Sequence, residues 1–169
     1  RLKNANQTGD VTGCGWRITS CGLSECVKEA AQNIAWEEKK RNRERNRGIG
    51  FGSLIHVSGT HGYIDGDFSS AIVKVQDDGM VTVFWGSADT GQGIKTSLGH
   101  IAAEVLGVDL DDVQVITMDT EKTPQDLGCW ASRSCFIGGN AVRLAAEEAK
   151  KQIFQIAAER LEANPQDLV

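Results

Sequence analysis

Proline is scarce in this sequence, with 2 in 169 residues, and the 19 glycines follow no strict period, which excludes a collagen-like chain. No apolar run approaches the roughly 18 residues a membrane-spanning helix needs, so no membrane partner is expected. Positive charge is not in excess either. Eighteen basic side chains face 23 acidic ones, for a net charge of -5. That sign does not favour sequence-independent binding to nucleic acid, which depends on neutralising phosphates. No C-x-x-C pair occurs among Cys14, Cys21, Cys26, Cys129 and Cys135. A zinc site or a thioredoxin-type centre therefore lacks its signature. G-x-G-x-x-G, the P-loop pattern and G-x-S-x-G are all missing, which removes the usual dinucleotide, nucleotide and serine-hydrolase readings.

What is present suits a globular protein. A 40% hydrophobic content is too high for a mostly disordered chain. The length fits one domain, or two half-domains sharing a core. The chain starts at Arg1 with no charged-then-apolar leader, and Leu168-Val169 follow a polar turn at 164–167. It reads as a piece of something longer. An odd cysteine count without a secretory signal suggests reduced thiols and a cytoplasmic protein.

Local patterns give an order of elements. Residues 1–21 read as irregular. Ser24 is placed to cap a helix over about 24–40, on the spacing of Val27, Ala30, Ala31, Ile34 and Ala35. The run 37–47 has two readings, a basic contact patch or a solvated helix end and linker, and the second is the simpler. Residues 51–62 read as a strand with glycine-rich ends. Alternation within 67–76, the turn Asp77-Asp78-Gly79 and the β-branched run 80–86 predict a hairpin.

Ile94, Leu98, Ile101, Ala102, Val105 and Leu106 predict a helix over about 92–106, stopped by Gly107. A short buried strand from Val113 to Met118 and a polar loop from Asp119 to about Ser132 follow. A long helix over about 133–163 is then expected to bury Ala141, Leu144, Ala145, Ala149, Ile153, Ile156, Ala157 and Leu161. Glu147 and Lys151 sit at favourable i,i+4 spacing. The expected fold is α+β: a small mixed or antiparallel sheet with long amphipathic helices packed on one side. Residues 1–47 are assigned to a linker and helical segment, and 48–169 to the α+β domain.

Two glycine-rich segments precede the strong helices. In the first, Gly91 and Gly93 leave room for a ligand beside the backbone, and the N–H groups of the helix start favour an anion. Gln92 between them offers an amide donor and a carbonyl acceptor to a polar heterocycle. The structural alternative is an ordinary strand-to-helix turn. In the second, 128–134, Ser132 and Ser134 bring hydroxyls and Arg133 a fork suited to phosphate, or else to an ion pair. If both helix starts converge, they form a socket for a diphosphate. His56, His61 and His100 make a metal cluster only if the fold gathers them. Asp65, Asp67 and Asp89 read as turn residues.

At these two segments the sequence resembles a known family. GSADTGQGIKTSLGHIAAEVLGV followed by MDTEKTPQDLGCWASRSCFIGGNAV resembles the molybdenum-cofactor-binding large subunit of the xanthine oxidase family. Within the family it is most similar to the 4-hydroxybenzoyl-CoA reductase branch, with an aldehyde oxidase-like character as well. The pairing of G-Q-G-x-x-T with T-P-x-x-x-G-x-x-x-S-R carries the specificity, and the likeness covers about residues 20–163.

The resemblance implies a fragment of a hydroxylase- or reductase-type molybdenum oxidoreductase that holds molybdopterin in its cytosine dinucleotide form. It implies [2Fe–2S] clusters and FAD on partner subunits or domains, and the remainder of the large subunit as a partner. The substrate it implies is a small aromatic, a CoA ester or an aldehyde. By carry-over, Gly91, Gln92 and Gly93 face the pterin or its phosphate, while Ala131, Ser132, Arg133 and Ser134 form the loop that meets the pyrophosphate. No residue here is expected to ligate molybdenum.

The chain departs from the family at Cys129, Trp130 and Cys135, where small or hydroxyl residues are usual, and Trp130 could narrow the pocket. The family's G-x-G-E base motif and its upstream glutamine segment are absent, so this stretch alone is expected to be inactive. The alternative is a cofactor-free stand-alone binding or scaffold domain of the same fold.

Overall fold

The structure is a computed structural model that describes residues 1–42, 44–59 and 66–168. The chain forms two compact units, Arg1–Ile55 and His56–Val169.

The first unit is mostly irregular, with a single antiparallel bridge between Val11 and Arg17 in its opening stretch. Two short helices follow, α1 (Leu23–Asn33) and α2 (Trp36–Arg41). One helix was expected here. Ala35 instead adopts the left-handed conformation (φ 52°) and divides it. Only Val27 of the expected apolar stripe is buried, so little packing is available to hold a longer helix together. Gly22, not Ser24, takes the N-cap position, and no side chain caps the helix start. The described residues of the charged run after Trp36 are solvent-exposed, as a helix end and linker would be. The strand expected at 51–62 does not form over 51–59, and its last three positions lie outside the described residues.

The second unit is α+β. Strands β1 (Ala71–Val75) and β2 (Val81–Trp85) pair antiparallel, with Val73 opposite Val83. Their turn is the expected one. Gly79 has φ 88°, and the Asp78 carboxylate accepts from the Met80 N–H at 3.0 Å. Helix α3 (Ile94–Leu106) then leads to β3 (Val113–Thr117), which pairs parallel to β2 with Trp85 opposite Thr117. A hairpin cannot join parallel strands, so the chain needs this crossover helix. A π-helical turn (Ser134–Gly138) runs into α4 (Gly139–Leu161). Gly107, at φ 79°, stops α3 as expected.

The central strand is buried along almost its whole length, whereas β1 alternates half-buried with exposed positions. Val81, Val83 and Trp85 share one face of the sheet and form a single cluster with Ile94, Leu98 and Ala102 of α3 and Val142 of α4. Both helices therefore cover the same face, and each large side chain sealed there contributes about 1.5–3 kcal/mol. Trp85 fits because Gly138 has no Cβ: one built there would lie 2.7 Å from the indole nitrogen.

The apolar face of α4 is the expected one only in part: Ala141, Ala145, Ala149 and Ala157 are half-buried. Val142, Ala146 and Ala158 are buried, while Leu144, Ile153, Ile156 and Leu161 are exposed. Small residues permit close approach to the sheet and α3, and the larger ones lie on the outer surface. Glu147 pairs with Arg143, at 2.5 Å, and not with Lys151. Among the described residues no helix is long and apolar enough to cross a membrane.

Candidate functional site

Parallel strands β2 and β3 both end at the same edge of the sheet, and the two glycine-rich segments of interest begin just beyond them. After β2, Gly86 makes a close approach to the loop that follows β3. A Cβ at Gly86 would lie 1.9 Å from the Pro124 carbonyl oxygen, so only glycine lets these two segments pack. The chain then reaches Gly91 (φ 107°) and Gly93 (φ 76°), both in the left-handed region, with open space where a Cβ would stand.

The Asp89 carboxylate organises this first segment. It accepts from the N–H groups of Gly91 (3.0 Å), Gly93 (3.3 Å) and Lys95 (3.3 Å). The Gly91 N–H, then the Lys95 N–H, hold its pKa below the ordinary value of 3.8, with Gly93 and the Lys95 charge adding to the effect. Of the amides that this segment was expected to offer to a ligand anion, the protein's own carboxylate takes three, those of Gly91, Gly93 and Lys95. An aspartate just ahead of a helix start is a capping signal, and the turn reading of Asp89 passed over it.

Gln92 is bent back into its own segment. Its carbonyl oxygen accepts from the Thr90 N–H (2.6 Å) and hydroxyl (3.0 Å), and its amide donates to the Ala88 carbonyl at 2.9 Å. The second amide donation, at 3.2 Å, goes to the Cys129 sulfur. That contact joins the two segments, so Gln92 and the loop containing Ser132 border one place.

The second loop owes its shape to Arg133, which is 1% exposed. Its Nε donates to Asp67 (2.8 Å), and its Nη1 to Asp126 (2.8 Å) and the Gly128 carbonyl (2.7 Å). Its Nη2 donates to the Phe68 carbonyl. Burial works against the guanidinium charge, but the Asp67 and Asp126 carboxylates outweigh it and raise the pKa above its usual value. Asp126 also accepts from the Gly128 N–H (2.7 Å) and from the Ser69 hydroxyl, which itself receives the Trp85 indole N–H at 2.9 Å. One polar chain thus runs from the loop into the core. The fork expected to meet phosphate points inward instead, and Arg133 takes part in the loop through its backbone. Nothing in the local sequence pairs Arg133 with Asp67, 66 positions away.

Immediately before Arg133, Ala131 (φ 47°) and Ser132 (φ 54°) are both left-handed. Two consecutive non-glycine residues in that region cost about 1–3 kcal/mol each and persist where the surroundings hold them. The holding groups are visible. The Gly59 N–H donates to the Ala131 carbonyl at 2.7 Å, and His56 Nε2 lies 2.9 Å from the Ser132 hydroxyl. Ala131 and Ser134 are buried while Ser132 is exposed, so Ser132 is the loop's outward-facing hydroxyl. Trp130 is half-buried and donates its indole N–H to the Leu127 carbonyl of its own loop, at 3.2 Å.

Of the histidines, His100 is exposed on α3 and His56 meets Ser132, while His61, like Asp65, lies outside the described residues. Among the described residues, no three His, Cys, Asp or Glu side chains could hold a metal ion together. All five cysteines are free thiols.

Comparison with known proteins adds to this geometry. A family model described as molybdopterin cofactor-binding domain matches residues 26–169. The xanthine dehydrogenase molybdenum-binding subunit of Escherichia coli O157:H7 is 34% identical over 99% of this chain, which spans 23% of that protein. The gamma subunit of the 6-hydroxypseudooxynicotine dehydrogenase complex of Paenarthrobacter nicotinovorans is 39% identical over 83% of the chain and 17% of its own length. Among solved structures, quinoline 2-oxidoreductase from Pseudomonas putida 86 superposes with a TM-score of 0.67 at 28% identity, covering 95% of this chain and 22% of that one. The carbon monoxide dehydrogenase of Oligotropha carboxidovorans gives 0.62 at 25% identity, covering 100% and 24%. The chain therefore spans a quarter or less of the length of these relatives.

Proposed function

The chain belongs to the molybdopterin cofactor-binding domain family of xanthine oxidase-type oxidoreductases, and on that premise we propose that its two loops hold the cofactor within a larger molybdenum-dependent enzyme. The observation that carries the proposal is the Gln92–Cys129 contact, at 3.2 Å, which brings both family-type motifs to one place.

The chain's residues fit such a group in part, and the fit divides the labour. Gly91 and Gly93 leave open space beside the backbone, and Gln92 carries both hydrogen-bonding senses. These suit a polar heterocycle such as a pterin, which can exchange for the Thr90 and Ala88 partners of Gln92. They suit a phosphate less well, because the Asp89 carboxylate already takes three amides there and repels a second anion. The anionic tether is assigned to the other loop, where Ser132 presents an exposed hydroxyl and Ala131, Arg133 and Ser134 supply the fixed backbone around it. We assign this work to the segment 48–169.

When bound, the cofactor supplies a molybdenum centre for electron exchange with the substrate, and this chain's part is to bind and orient it. The cytosine dinucleotide form, iron–sulfur and flavin partners, a cytoplasmic setting and the 4-hydroxybenzoyl-CoA reductase branch belong to this proposal as its finer parts. They rest on the motif resemblance. So does the substrate class of small aromatics, CoA esters and aldehydes.

The test is metal and nucleotide analysis of the natural full-length protein in its complex. The expected result is about one molybdenum and one releasable CMP per subunit, both reduced by Gln92→Ala and by Ser132→Ala. A wild-type complex made with ample molybdate that carries neither would refute the proposal. Molybdenum without CMP would refute the dinucleotide form alone.

A further inference from the structure

The loop that carries Ser132 does not turn its arginine outward. Arg133 is buried, and four of its N–H donors are spent on Asp67, Asp126 and two carbonyls. Asp89 adds a carboxylate on the neighbouring segment. Within this loop an anion meets the outward-facing hydroxyl of Ser132, and the polarity of that hydroxyl is not fixed by serine itself. A serine hydroxyl rotates, and it donates only in the direction its hydrogen points.

His56 Nε2 is 2.9 Å from that oxygen, and both side chains are exposed. If Nε2 carries a hydrogen, as the imidazolium or as the Nε2–H tautomer, it donates into the Ser132 oxygen. The serine O–H is then free to point outward and donate to an anion. If Nε2 is bare, the serine O–H turns back to it, and the oxygen lone pairs face outward and repel an anion. The Gly59 N–H, bonded to the Ala131 carbonyl at 2.7 Å, keeps the 56–59 segment alongside the loop, so the His56–Ser132 geometry is fixed from both sides.

We infer that His56 is a positioning residue: by donating to Ser132 it turns the Ser132 hydroxyl outward as the donor for the anionic tether of the cofactor. The inference rests on the proposed function, because it needs the tether to lie on this loop.

The experiment uses the full-length subunit in its natural complex. It follows molybdenum release after transfer to cofactor-free buffer, with the thermal unfolding midpoint measured in parallel. His56→Gln retains a donor and is expected to release molybdenum within about threefold of wild type. His56→Glu, which only accepts, is expected to release it roughly tenfold faster or more, the size of one lost hydrogen bond to a charged group. Ser132→Ala is expected to match the Glu variant. In the Ser132→Ala background, Gln and Glu at position 56 are expected to release at the same rate.

Equal release from His56→Gln and His56→Glu in the presence of Ser132 overturns the inference while leaving the proposed function standing. A Gln–Glu difference that persists without Ser132 also overturns it, since the charge then acts directly. So does a fall in unfolding midpoint that tracks the release rates. A wild-type complex devoid of molybdenum overturns the proposed function and this inference together.

Discussion

Replacing Arg133 by Met tests how the second loop is held. The side chain is of similar length and apolar, so packing volume is largely retained and the change is mainly electrostatic. Removing one partner of a buried ion pair costs about 3–5 kcal/mol, because the remaining charge is left without compensation in a poor solvent. Here two carboxylates are left, on Asp67 and Asp126, whose side chains are 15% and 0% exposed. Asp126 keeps the Gly128 N–H and the Ser69 hydroxyl as donors, which places the expected loss near the lower end, at about 3 kcal/mol. At about 1.4 kcal/mol per decade, that is roughly a hundredfold in the folded-to-unfolded ratio.

The assay is urea unfolding of the protein followed by tryptophan fluorescence, with Trp85 joined to the same network through Ser69. The exposed Arg143–Glu147 pair is the internal control. Arg143→Ala is expected to cost no more than about 0.5 kcal/mol, as for other helical surface pairs. Arg133→Lys keeps the charge but not the fork. Its three donors cannot replace all four bonds of the guanidinium, and it is expected to fall between the two. A loss below about 1 kcal/mol for Arg133→Met, or equal losses for Arg133→Met and Arg143→Ala, would refute the reasoning that the buried guanidinium holds the loop.

Three further outcomes follow from the same structure. Gly86→Ala drives a Cβ into the Pro124 carbonyl, 1.9 Å away, and is expected to displace the 124–130 loop and lower the thermal midpoint, with Gly107→Ala as a milder comparison that carries only left-handed strain. Asp89→Ala removes a carboxylate whose pKa is depressed in the fold, first by the Gly91 N–H. Its stabilising effect is therefore present above the ordinary value of 3.8 and disappears as pH falls through the lower folded value. The difference in midpoint between wild type and variant is expected to be constant from pH 7 to 5 and to close below about pH 3.8, so a difference that closes near neutrality would contradict the assignment. Thr117 is 8% exposed, and its hydroxyl has no hydrogen-bond partner among the described residues. Thr117→Val is accordingly expected to leave stability unchanged or raise it by about 1 kcal/mol in calorimetry, and a clear loss would reveal an unrecognised partner.

Much of the second unit could be read along the chain. The Asp77-Asp78-Gly79 hairpin, the α3 stripe from Ile94 to Leu106 and its Gly107 stop, and the short strand at Val113 all depend on neighbours within a few positions. So does the recognition of the two motif segments. The failures share a different character. Ile34 and Ala35 show helical spacing, but their unit gives that stripe little to pack against. On α4 an apolar side chain was available on more than one face. Close packing against Trp85 and α3 selected the face bearing Gly139, Val142 and Ala146, and left Leu144 and Ile156 outside.

By itself the sequence determined the family motifs, the α+β order and the presence of glycines where the backbone must turn left-handed, because those are matters of local sterics and spacing. The direction in which a charge points was decided only by tertiary structure. Arg133 turns inward to Asp67 across 66 positions. His56 reaches Ser132 across 76. Such pairings depend on which groups the fold brings within 3 Å of one another, and no spacing along the chain encodes that.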